Sequence, residues 1–217
     1  MDTLQIITEA EAFAKAELGQ DTTGHDWWHT ERVRNTAALI AEMEGADAFI
    51  CIIAALLHDV ADEKLNPSKE EGLRKVHNWL ADHISDEDQL THIMQIIATM
   101  SFSGGGGEPM ATLEGQCVQD ADRLDALGAI GIARTMVFSG AKGRPVYDPE
   151  LPPRDETLKQ EYRDYSKGTA VNHFYEKLLK LKDLMNTGYG QKLAAERHQF
   201  MLTFLEQFYK EWNQGAQ

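Results

Sequence analysis

Cysteine is scarce in this sequence: among 217 residues only Cys51 and Cys117 carry a thiol. Two cysteines cannot build a disulfide framework or a zinc knuckle, and both sit among apolar neighbours, where a free thiol is ordinarily buried. They read as core thiols. Long apolar runs are missing as well. Nothing approaches the roughly 20 consecutive apolar residues that cross a bilayer, so no membrane span is expected. The opening MDTLQIITEAEAFAKAEL carries acidic residues and helical spacing in place of the basic segment, apolar run and cleavage site of a secretory signal. A cytoplasmic location is the expectation. Positive charge is also in short supply, with 21 Lys and Arg against 35 Asp and Glu and a formal net charge of −14. Long nucleic acid normally demands a basic face, so that class of partner is set aside. A small anion stays admissible if a metal and a few local cations receive it, because net charge governs long-range steering and does not describe one pocket.

Alternating strand patterns of useful length are absent, and helical spacing fills their place. Leu4, Ile7, Ala10 or Glu11, Ala14 and Leu18 mark a first helix that Gly19 ends. Trp28, Val33, Ala37, Ile40, Ala41 and Met43 mark a second from about Asp26 to Glu44, stopped at Gly45. Asp47 can cap a third, AFICIIAALLHDVADEKL, apolar through Leu57 and acidic at its end. Asn66-Pro67-Ser68 restarts a helix through about Asp82, and Ser85 or Asp86 opens the next. Helix is expected from about Leu113 to Phe138 with a pause at Gly128. From Ser166 to Trp212 two long amphipathic helices flank NTGYG, with Phe174, Leu178, Leu181 and Met185 on one stripe and Leu193, Phe200, Phe204 and Phe208 on the other. The fold class is therefore all-α, a single-domain helical bundle over 1–217. Its metal-binding core spans about 20–130, a candidate lid loop about 140–165, and the C-terminal helices about 166–213. Four of the six prolines fall in GAKGRPVYDPELPPRDE, inside that loop. Four consecutive glycines, 104–107, follow no strand and precede no Lys-Ser/Thr pair, so they read as a flexible connection.

Three segments carry chemistry: HDWWHT, LLHDVADEK and QDADRLDALG. His58 and Asp59 fall where a buried helix turns polar, and charging them there without a partner is costly. A bound cation removes the difficulty. Imidazole nitrogen with carboxylate oxygen suits a borderline or hard divalent ion, Mn, Fe, Co, Ni, Zn or Mg, and the lack of a nearby Cys argues against a soft thiolate site. Two His and two Asp leave coordination positions open, as catalysis requires.

The order of His29, the His58-Asp59 doublet and Asp122, set in HTERV, LLHDVADEK and DADRLDALG, resembles the HD superfamily of metal-dependent phosphohydrolases. It is most similar to the stand-alone bacterial subgroup with a GHDWWHTERV opening, which includes nucleoside triphosphate pyrophosphohydrolases, and the resemblance extends into NHFYEKLLKLKDLMNT and RHQFM near the end. The family pattern implies one divalent metal, expected to be Mn, held by His29, His58, Asp59 and Asp122. Asp120 and Asp125 are also available in DADRLD; the family's Ala-Asp pair maps onto Asp122, leaving Asp125 beside the metal shell or solvated.

If the helix continues past Asp59, Asp62 shares the face of the ligands and can act as general base; a solvated helix-end acid is the alternative. The family's use of an acid soon after the doublet favours the catalytic role. Lys64 can hold a substrate phosphate as a point charge, or be a plain surface lysine. Arg32 and Arg123 can offer forked contacts to phosphate or pair with acidic neighbours. His25 stands four residues before His29, a metal-site spacing, yet its place at the helix start favours a substrate-facing role. His173 can face the substrate with Lys167 and Lys177, or lie on a solvated helix face. One of Trp27 and Trp28 can stack on a base, while at least one packs on the core. The expected activity is hydrolysis of a phosphoric anhydride or ester in a small nucleotide. A nucleotide 5'-monophosphatase and a non-catalytic nucleotide sensor are the alternatives, in a monomer or homodimer whose partner is a small phosphate compound.

Overall fold

Short polar side chains set where the helices begin. Asp26, Asp47, Ser68 and Asp86 each accept hydrogen bonds from backbone N–H groups of the turn that follows, groups that a helix cannot pair internally. They open α2 (Trp27–Glu44), α3 (Ala48–Leu57), α4 (Lys69–His83) and α5 (Glu87–Thr99), and α1 (Thr3–Leu18) precedes them. Gly45 closes α2 in the left-handed region, φ 75°, with its N–H on the Ala41 carbonyl, where any other residue would be strained. Gly128, φ 68°, turns the chain from α6 (Leu113–Asp125) into α7 (Gly128–Ala141). Then come α8 (Ala170–Glu176), a 3₁₀ helix (Leu178–Leu184) and α9 (Gly188–Trp212). The structure, a computed structural model, describes residues 2–19, 26–62, 65–100, 110–154 and 168–214. Among the described residues there is no strand, and the all-α expectation holds. No single described helix is long and apolar enough to cross a membrane.

The chain forms two compact units, 1–122 and 123–217, and the boundary falls within α6 rather than in a linker. In the first, α3 is the central element. Its residues Ile53 to Leu57 are fully buried, and it packs against α1, α2 and α5, while α4 packs on α5. Burying a Leu or Ile side chain stabilises by about 1.5–3 kcal/mol, so this short helix is held by its packing. Cys51 and Cys117 are both buried, and the Cys51 thiol pKa is raised by its hydrogen bond with Cys117 and by burial, as inert core thiols require. In the second unit α9 packs against α7 and the 3₁₀ helix, and the 3₁₀ helix also packs on α8. Tyr147 sets its ring edge-on to Phe208, Tyr209 and Trp212 at 4.9–5.8 Å, tying the stretch after α7 to the end of α9.

Several expected stripes are shifted. Ile6, not Leu4, begins the buried face of α1, and Leu4 is exposed. On α2, Trp27 is buried, while Trp28 and Met43 face solvent. The buried line of α9 runs through Gly190, Ala194, Met201 and Leu205, and Phe200 is exposed, because small residues admit the closest helix approach. The first of the two long C-terminal helices does not form as one helix. Lys177 leaves helical geometry at φ −139° and the chain tightens into the 3₁₀ helix. Phe174, Leu178, Leu181 and Met185 are nonetheless all buried, since a spacing of four, three and four serves either winding. The third helix stops at Leu57 instead of continuing through the acidic end of its segment.

Candidate metal centre

The first turn of α2, the end of α3 and the helix α6 supply the candidate ligands in the first unit. His29 is the third residue of α2, and its backbone N–H donates to Asp26 Oδ1 at 2.8 Å, so the cap that starts the helix also fixes His29. His58 follows the last residue of α3, and Asp59 opens a 3₁₀ turn, Asp59–Ala61. Asn66 holds that turn through Nδ2, which donates to the carbonyls of Val60 and Asp62 at 2.8 Å each. Those carbonyls would have been paired had the helix run on. Gly72 of α4 lies against the turn so closely that a Cβ there would stand 2.4 Å from the Ala61 carbonyl oxygen.

His29 Nε2 lies 3.4 Å from Asp59 Oδ2 and 3.4 Å from Asp122 Oδ1, and His58 Nε2 lies 3.3 Å from Asp59 Oδ1. The two imidazole rings stand 5.5 Å apart. Ligand atoms of His29, His58 and Asp59 fall within 4.8 Å of one another, and Asp122 joins through His29. Ions bound at about 2.0–2.2 Å hold neighbouring ligand atoms roughly 3 Å apart, close to these separations. The orientation of His58 fits too. Its Nδ1 lies 2.7 Å from the Ala55 carbonyl, which accepts the ring N–H and leaves Nε2 as the lone-pair nitrogen. That Nε2 is buried and makes no hydrogen bond, an arrangement that costs free energy unless a cation takes the lone pair. The cluster could hold a divalent metal ion.

Charge in the cluster is finely opposed. Burial raises the Asp122 pKa, and Asp59 beside it does the same; the hydrogen bond with His29 and the charges of His58 and His29 outweigh both and bring it down to about 2. Two carboxylates this close call for positive charge between them, which a bound metal ion would supply.

Of the acids in DADRLD, Asp122 is the one placed against His29. Asp120 is fully buried. Asp125 is not solvated: it is buried and paired with Arg134 at 2.7 Å, because the turn at Gly128 brings α7 back past the end of α6. Asp62 leaves the helical path, with extended backbone at φ −64° and ψ 137°, so helical spacing does not direct its carboxylate. Arg32 lies one turn beyond His29, half-buried and engaged with neighbours. Arg123 donates to the Leu184 carbonyl at the end of the 3₁₀ helix. His173 belongs to the second unit and sits on α8. His25, Lys64 and Lys167 lie outside the described residues, as do the four glycines and much of the candidate lid loop. Sequence reasoning missed Asn66 and Gly72. A glycine inside a helical pattern was the available sign of a close approach.

A family model for the HD domain matches residues 27–127, the stretch that contains all four clustered residues. Protein YpgQ of Bacillus subtilis is 39% identical over 97% of this chain and 96% of its own. A crystal structure of an HD-superfamily hydrolase from Bacillus thuringiensis is 48% identical, with a TM-score of 0.80, over 98% of this chain and 99% of that one. A structure of YpgQ in complex with ADP is 37% identical, with a TM-score of 0.75, over 94% of this chain and 97% of that one.

Proposed function

Because the chain belongs to the HD superfamily and is therefore an HD-type metal-dependent phosphohydrolase, we propose that its substrate is a small nucleotide and that it acts as a (deoxy)nucleoside triphosphate pyrophosphohydrolase. The observation that carries the hydrolase chemistry is the convergence of His29, His58, Asp59 and Asp122, with His58 Nε2 buried and left without a hydrogen bond. The nucleotide is supported by the similar YpgQ, whose structure is in complex with ADP. The triphosphate rests on the resemblance of the GHDWWHTERV opening.

In this reading the four residues hold one Mn ion. When bound, such an ion lowers the pKa of water and neutralises charge on a phosphoryl oxygen. The protein supplies the rest. The Ala55 carbonyl orients His58 and the Asp26 cap positions His29, so little reorganisation precedes the reaction. Asp62 is proposed to accept the proton of the attacking water. Lys64, His25, Arg32, Arg123 and Lys167 are proposed to receive the phosphate chain and sugar. The partner is a small phosphate compound, with no role for long nucleic acid or membrane, in a cytoplasmic monomer or homodimer.

The test is product analysis. Purified protein is incubated with ribo- and deoxynucleoside tri-, di- and monophosphates in Mn, Mg, Co or Ni. Nucleoside monophosphate and pyrophosphate in equal amounts are expected from triphosphates. Inorganic phosphate from a monophosphate instead would make it a 5'-monophosphatase. Stabilisation by nucleotide with no product in any metal would make it a sensor.

A further inference from the structure

One side chain outside the ligand set governs how the chain leaves α3. A helix that ran on past Leu57 would pair the Asp62 carbonyl with the backbone N–H of Asn66, four residues ahead. Pro67 disfavours helical backbone at the residue before it, and Asn66 lies in a bend that precedes α4. The Asn66 side chain takes over the bond that its backbone gives up, as a short amide can when it competes with a helix. Its Nδ2 donates to the Asp62 carbonyl and to the Val60 carbonyl, at 2.8 Å each. The Asp62 N–H in turn donates to the Asp59 carbonyl at 3.0 Å. Asp62 is thus held through its N–H by Asp59 and through its carbonyl by Asn66, and Val60, next to Asp59, is held by the same amide. Gly72 leaves room for that amide, since a Cβ there would stand 2.9 Å from Nδ2. What this backbone carries is the carboxylate of Asp59, with Oδ1 3.3 Å from His58 Nε2 and Oδ2 3.4 Å from His29 Nε2.

We propose that Asn66 is a positioning residue of the metal centre: by donating both amide hydrogens it fixes the backbone on either side of Ala61 and so keeps Asp59 set between the two imidazoles. The role needs a donor. Both partners are carbonyl oxygens, so an acceptor-only group of the same shape does not serve. It also needs two bonds from one planar group, because a single bond would leave the turn free to pivot about it. Residues that orient a ligand in this way set metal affinity on a scale of about 10–100-fold. The inference rests on the reading of His29, His58, Asp59 and Asp122 as one metal centre.

The test uses the full chain, stripped with a chelator and titrated with manganese alone, the free ion being counted by its electron paramagnetic resonance signal. Asn66→Ala should weaken affinity about tenfold or more, measured well below the unfolding transition. A loss of stability alone would lower Tm and leave the affinity of the folded protein unmoved. Asn66→Asp separates donation from charge. A carboxylate near the site would tighten cation binding by attraction, but when ionised it cannot donate and it repels both carbonyl oxygens, so the positioning role predicts weaker binding than in wild type. Wild-type affinity in Asn66→Ala, or equal or tighter binding in Asn66→Asp, overturns the proposal. Should the variants fail to fold, wild type decides. Linkage is reciprocal, so saturation with zinc, which is diamagnetic, should slow hydrogen exchange of the Asn66 side-chain amide, and an unmoved rate overturns the proposal. Absence of manganese uptake by wild type would sink the metal-centre reading and this inference with it; equal uptake by wild type and Asn66→Ala would sink this inference alone.

Discussion

Asp59 faces both imidazoles at once, Oδ1 toward His58 and Oδ2 toward His29. Asp59→Asn keeps the shape and removes the charge that a cation needs. Metal affinity should fall by more than the roughly 10–100-fold typical of residues that only support ligands, with circular dichroism unchanged. Equilibrium dialysis followed by elemental analysis reads this directly, and full metal retention by the variant would remove Asp59 from the ligand set. His173 makes a second prediction at the same scale. Its pKa is lowered from the ordinary 6.5 of histidine to about 4 by burial and by Lys177, Arg144 and Arg154 against Glu176. Between those values the unfolded chain binds the proton and the folded chain does not. Stability from this group is therefore fully present above about pH 6.5 and lost as pH falls toward 4. Thermal unfolding of wild type and His173→Gln across that window should converge at low pH, with wild type the steeper. Parallel curves would show that burial does not hold the ring neutral.

Among the elements, the 3₁₀ turn behind Asp59 depends on α4 lying close to it. Gly72→Ala would drive a methyl into the Ala61 carbonyl oxygen, 2.4 Å from the ideal Cβ, and into Asn66 Nδ2 at 2.9 Å. One atom there should cost about 1–3 kcal/mol by overpacking and should also weaken metal binding, because the turn carries a ligand. Gly45→Ala is the control: it forces an alanine to φ 75° with nothing within 4 Å of the new Cβ, a cost of about 1 kcal/mol, with metal binding intact. Urea unfolding and metal titration of the two variants separate the effects; equal metal affinity in both would show that α4 does not support the site. This contact also marks where sequence stops being informative. Caps at Asp26, Asp47 and Asp86 and the stop at Gly45 are local events, and local residues announce them. The length of α3 is not local. Its end depends on Asn66, which reaches back to Val60 and Asp62, and no spacing within AFICIIAALLHDVADEKL reveals that. The convergence of His29, His58, Asp59 and Asp122 was legible from residue type and family pattern. The direction of Asp62, which rested on an assumed helix, was not, and the partner of Asp125 lies across a turn on α7.

At the scale of the whole molecule, the candidate ligands come from three separate stretches of the first unit, on α2, at the end of α3 and on α6. No two of these stretches are neighbours in the chain, so the unfolded polypeptide holds no site for the metal, and metal binding must favour the folded state. At metal concentrations about 100 times the dissociation constant, that linkage stabilises by roughly 2.7 kcal/mol. For a protein of this size each kcal/mol moves the unfolding temperature by about 2–4 °C, so a chelator should lower Tm by roughly 5–11 °C, and Mn should restore it. The same linkage predicts where the loss is felt. Hydrogen exchange after chelation should quicken in α2, in the last turn of α3 with the 3₁₀ turn, and in α6 up to Asp122, while α9 keeps its protection. A Tm indifferent to chelator, in protein shown to have carried metal, would mean that buried imidazoles and carboxylates balance one another unaided, and that the lone pair of His58 Nε2 is no sign of a resident ion.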